Sequence, residues 1–175
     1  MKKYKKYKNE ISEIVNTQVD DSEWKLIRKL HLPEKLNEET TQECKKGIVI
    51  DVEATGLNIG HDDVIQLAML PFQYEVPSGK ITIINKNKSF NGYREPAIPI
   101  SEEAQLITGI TNEMVANKNI KAEEINQIVK NTDLIIAHNA SFDRPMVESH
   151  WDCFKNVAWA CTFKSINWLK EGFNS

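Results

Sequence analysis

The sequence predicts an α/β domain in which a mixed β-sheet of about five strands is flanked by helices. Three observations predict it. The β-branched run Ile48-Val49-Ile50 reads as a buried central strand. Residues 64–70 and 80–90 read as two more strands, with Pro77-Ser78-Gly79 turning between them in an antiparallel meander. The apolar stretch Leu134-Ile135-Ile136-Ala137 follows a helical segment, so it should lie parallel to the first strand.

The 175 residues suit one domain with an appendage, and a 41% hydrophobic content is enough for a core. A net charge of -3 gives no global basic signature for nucleic acid. A nucleic-acid enzyme remains compatible, because bound metal supplies positive charge that a residue count misses. Three widely spaced cysteines, Cys44, Cys153 and Cys161, indicate neither a zinc site nor a disulfide framework. They suit a reducing, cytoplasmic compartment. The lysine-rich start lacks the apolar run of a secretory signal, and no stretch reaches membrane-span length.

Residues 1–46 read as a helical and linker appendage. Five lysines and two tyrosines open it, as a solvated tail or a phosphate contact. Ile11, Ile14 and Val15 recur at helical spacing, as do Trp24, Ile27 and Leu30 after Asp20-Asp21-Ser22. Residues 34–46 are polar and read as a linker. The domain proper spans residues 47–175. After its first strand, residues 58–63 read as loop. Ser101 and Thr111 are expected to cap short helices separated by Gly109. Residues 122–130 put Ile125, Ile128 and Val129 on one helical face. Ser141 should cap a helix reaching about Trp151, residues 157–161 a final strand, and 162–170 a last helix.

The chemistry gathers at strand ends. Asp51 and Glu53 stand two apart, so both carboxylates project from one face. Like charges at the end of a buried strand repel and resist desolvation, and a divalent cation relieves both problems. All-oxygen ligands suit Mg²⁺ or Mn²⁺. Plain solvation of the pair is the alternative. Asp143 falls in the first turn of the helix after the parallel strand. Sites in open α/β sheets gather at the carboxyl ends of such strands, so it can face the pair. Its alternative role is to complement the helix dipole.

Three segments then carry a resemblance over residues 47–173. Asp51-Val52-Glu53-Ala54-Thr55-Gly56-Leu57 resembles the first motif of the DEDD-type 3'-5' exonucleases, the group containing proofreading epsilon subunits. His138-Asn139-Ala140-Ser141-Phe142-Asp143 is similar to their second motif. Ile107-Thr108-Gly109-Ile110-Thr111 looks like their Gly-Ile-Thr segment, with Ile107 where a His is common. The resemblance implies a ribonuclease-H-like fold. It also implies two Mg²⁺ or Mn²⁺ ions, roughly 4 Å apart, held by Asp51, Glu53 and Asp143. Thr55, Gly56, Leu57 and Phe142 would meet the terminal nucleotide, with core packing the alternative for the two apolar residues. His138 and Asn139 share the second motif but suit stabilisation of its turn better.

The implied substrate is the 3' end of a single strand, DNA ahead of RNA, with a polymerase or other protein as partner. The family's third motif, a fourth acid preceded by a His or Tyr on a late helix, has no match in Glu148, Asp152 or Glu171. The expectation is therefore a C-terminally incomplete domain lacking the final family helix. The other expectation is a non-catalytic remnant that binds nucleic acid or a protein through the same fold.

Overall fold

The computed structural model describes residues 33, 35–38 and 40–172. The lysine-rich start and the helical readings at 11–15 and 24–30 lie outside them. The strands are β1 (Cys44–Ala54), β2 (Val64–Glu75), β3 (Ile81–Ile84), β4 (Phe90–Tyr93), β5 (Leu134–Ala137) and β6 (Ala158–Cys161). The α-helices are α1 (Glu102–Thr108), α2 (Asn112–Val115), α3 (Ala122–Val129), α4 (Ala140–His150) and α5 (Thr162–Ser165). One six-stranded sheet runs β3-β2-β1-β5-β6, and β4 also pairs with β2.

β1 pairs antiparallel with β2 and parallel with β5, and β5 is parallel to β6. The expected meander and the parallel pair are both present. The single strand expected over 80–90 is instead two, because a 3-10 turn at Lys86–Lys88 interrupts it. β2 is long enough to serve both pieces: β3 pairs with its second half and β4 with its first.

The segment expected as a linker is partly built into the sheet. β1 starts at Cys44, Lys35 bridges Ile83, and Asn37 Nδ2 donates to the Ile81 carbonyl at 2.7 Å. Ser101 and Thr111 cap α1 and α2 as expected, and Gly109 ends α1 in the left-handed region at φ 72°. Asn139, not Ser141, precedes α4; Ser141 is its second residue, and the hydroxyl donates to Asn139 Oδ1. The last helix is a single turn, and its expected apolar residues Phe163, Ile166 and Leu169 are exposed.

Alternation along β1 divides the sheet into two faces. Ile48, Ile50, Val52 and Ala54 are buried among Ile125 and Val129 of α3 and Met146 and Val147 of α4. Val49, on the other face, is 42% exposed, and Asp51 and Glu53 follow it on that face. The helices thus hold β1 by one side and leave the acid-bearing side open.

Candidate active site

β5 is shorter than β1 in a way that matters. It pairs with β1 only as far as Val49, so the β1 backbone beyond that point has no strand partner on this side. α4 starts three residues after β5 ends and brings Asp143 into the notch, where the carboxyl meets the Val52 N–H. Asp143 is only 5% exposed. Burial, followed by the nearby charges of Asp51 and Glu53, raises its pKa from 3.8 to about 6, against the pull of its own and the Val52 N–H. Glu53 is also raised, by burial first and then by Asp51. A shift in the β1–β2 register between Glu53 and Ala54 re-aims the strand at this point.

The three predicted acids therefore act on one another electrostatically. No ion pair among the described residues neutralises any of them. As donors they fit a hard divalent cation: all are carboxylates, and burial with mutual repulsion pushes Glu53 and Asp143 toward protonation. The set is open. Among the described residues no three His, Cys, Asp or Glu side chains are grouped closely enough to enclose an ion.

The turn after β1 is held by residues that the sequence showed only as loop. Thr55 and Asp63 bond reciprocally: Thr55 N–H donates to the Asp63 carbonyl at 2.9 Å, and Asp63 N–H to Thr55 Oγ1 at 2.9 Å. The Thr55 hydroxyl donates to Asp62 Oδ1 at 3.0 Å, and Asn58 N–H to Asp62 Oδ2 at 2.7 Å. A Cβ on Gly56 would come within 2.6 Å of the Asp62 carboxylate. Thr55 and Gly56, expected at the substrate, thus have a demonstrable task inside the turn. That packing leaves the next side chain, Leu57, 83% exposed.

The second motif divides in the same way. His138 Nδ1 lies 3.0 Å from Thr162 Oγ1, and its ring meets Phe163 and Trp168 edge-on or tilted. Asn139 accepts from Ser141. Both stabilise the turn. Phe142 is half-buried against the main core.

Sequence reasoning missed one cluster. Asp63 is 7% exposed, and its Oδ1 lies 2.5 Å from Arg94 Nη1 and 2.8 Å from His150 Nε2. Its Oδ2 accepts from the Ala97 N–H at 2.8 Å. Burial would raise the Asp63 pKa, but Ala97, Arg94 and His150 together hold it below the usual range. The adjacent pair Asp62-Asp63 between a turn and an apolar strand was the available signal.

A mixed sheet with carboxylates at the end of its central strand and on the helix after that strand's parallel neighbour defines a ribonuclease-H-like nuclease fold. The chain belongs to the exonuclease family RNase_T, which matches residues 48–172. That family consists of nucleic-acid-cleaving domains that generally use divalent metal ions.

The PolC-type DNA polymerase III of Bacillus subtilis (strain 168) is 33% identical over 102 residues, covering 55% of this chain and 6% of that protein. Its counterpart in Oceanobacillus iheyensis is 32% identical over 102 residues, again 55% of this chain and 6% of that protein. The chain thus spans a small fraction of these relatives. Exonuclease X, solved in complex with 5' overhanging duplex DNA, is 30% identical with a TM-score of 0.50, over 73% of this chain and 66% of that one. Product-bound exonuclease I shares the fold at 18% identity and a TM-score of 0.52, over 69% and 30% of the two chains.

Proposed function

We propose that this domain is a metal-dependent 3'-5' exonuclease acting on single-stranded ends, DNA ahead of RNA, in proofreading or trimming. The observation that carries the reading is Asp143, buried against the end of β1 beside Asp51 and Glu53. A divalent ion held by these three would polarise the phosphodiester and lower the pKa of a bound water. Burial of Asp143 fixes its carboxyl against the Val52 N–H, so that group needs little reorganisation. Leu57, held out by the Asp62-braced turn, offers an apolar surface on which an unpaired base can rest, with little sequence preference. Thr55, Gly56 and Phe142 would border that entry, while His138 and Asn139 hold the turn beside it.

Related proteins support the substrate class, since exonuclease X was solved with DNA and exonuclease I with single-stranded DNA. The PolC-type relatives and an exonuclease I complex with an SSB C-terminus support a polymerase or a single-strand-binding protein as partner. The three cysteines are free thiols, which suits the cytoplasm. No helix among the described residues is long and apolar enough to cross a membrane.

A second reading, a non-catalytic domain that binds nucleic acid or a protein, draws on the open ligand set. One experiment separates the two. Purified protein is given Mn²⁺ and a 5'-labelled single strand, alongside Asp51→Ala. Stepwise shortening from the 3' end that Asp51→Ala abolishes supports the exonuclease. Binding without shortening supports the second reading.

A further inference from the structure

We propose that Asp63 is a positioning residue that sets the spacing between Asp143 and the acids of β1. The inference rests on reading the three acids as a cation site. Asp63 begins the return from the β1 turn, and its backbone is bonded twice to Thr55, two residues after Glu53. Its side chain reaches α4, taking His150 Nε2 at 2.8 Å. His150 is the last residue of α4, the helix that presents Asp143 from its first turn. One buried residue therefore joins the strand end that carries two of the acids to the helix that carries the third.

Arg94, after β4, approaches the same Asp63 oxygen, and its main-chain N–H donates to the Ile65 carbonyl at 2.9 Å. It fixes the carboxylate from a third element. α4 stays continuous from Ala140 to His150 in spite of Pro145, so a tie at its last residue bears on its first turn. Asp63 holds the far end in place. It touches none of the three acids directly, and its effect passes through Thr55 and His150.

The test measures Mn²⁺ affinity of the full chain by electron paramagnetic resonance, with thermal unfolding recorded for each variant so that only folded protein is compared. Asp63→Asn and His150→Leu are expected to weaken Mn²⁺ binding about tenfold, in the range seen when outer supports of a metal site are removed. His150→Gln, whose amide N–H can still donate to Asp63, should bind like the parent. A purely structural role would lower the unfolding temperature and leave affinity unchanged, and that result overturns the inference. Should Asp63→Asn not fold, the contrast of His150→Leu with His150→Gln decides the matter. If Asp143→Asn weakens binding while Asp63→Asn and His150→Leu do not, this inference alone fails. If the parent takes up no Mn²⁺, or Asp143→Asn binds as well as the parent, the cation reading fails and this one with it.

Discussion

His150 Nε2 lies 2.8 Å from the Asp63 carboxylate, and this contact commits the one histidine of α4 to holding the fold together. In the structure its ring nitrogen is engaged by a buried acid. Burial first, then the Arg94 charge, holds its pKa below the ordinary 6.5 in spite of Asp63. A folded value below the unfolded one gives stability that is present above about pH 6.5 and is lost as pH falls through the folded value. In chelator, the parent should lose more stability than His150→Gln between pH 7 and 5. Unfolding temperatures read across that range check it, and parallel curves would contradict it.

Asp143 has the opposite sign. Its folded pKa of about 6 exceeds the ordinary 3.8, so its contribution is fully present below pH 3.8 and is lost as pH rises through 6. Asp143→Asn should therefore be more stable than the parent in chelator at pH 8, by up to roughly 3 kcal/mol before allowance for solvent screening. At pH 3.5 the two should match. Denaturant unfolding at both values decides it.

Divalent metal should reverse that penalty. Mg²⁺ or Mn²⁺ is expected to raise the parent's unfolding temperature more at pH 8 than at pH 5, where Asp143 is mostly protonated. With three carboxylates in an open set, we expect at most one ion, bound weakly. Calorimetry that shows two tight sites, or an Asp51→Asn protein that responds like the parent, would contradict this.

Leu57 is exposed enough to be removed cheaply. Leu57→Ala should leave unfolding free energy within about 0.5 kcal/mol of the parent. It should weaken single-strand binding by up to about tenfold, the lower part of the range for a stacked base. Fluorescence anisotropy with a labelled oligonucleotide measures the second effect. Unchanged affinity would remove Leu57 from the substrate path.

Shortening of single-stranded DNA or RNA by this chain should be detectable with Mn²⁺ but very slow. The described acid site has no base beside it, and a positioned base typically contributes roughly 10²–10⁴-fold. Robust mononucleotide release that disappears in Asp51→Ala would refute this.

Periodicity made the central strand and its parallel neighbour legible, because Ile48, Ile50 and Ile135 are buried by simple alternation. The acid trio was legible for the same reason, since pleat and topology place strand ends together. The brace behind it was not. Asp63, Arg94 and His150 are far apart in sequence, and each has an ordinary surface role open to it. Their meeting depends on how β2, β4 and α4 converge. The break in the strand over 80–90 was equally hidden, because it depends on β2 being long enough to pair twice.

The open face of β1 has a consequence for how the chain folds. Against β2, Val49 stands opposite Leu70 and Asp51 opposite Ala68. A slip of one residue along either strand would exchange the two faces. Asp51 and Glu53 would then be driven among Ile125, Val129 and Met146, and Ile50 and Val52 would be left in water. Each carboxylate forced inward would cost several kcal/mol. The two acids thus penalise the misaligned hairpin before any nucleic acid arrives. A protein with both replaced by apolar residues would lose that safeguard and become prone to misregistered, aggregating species.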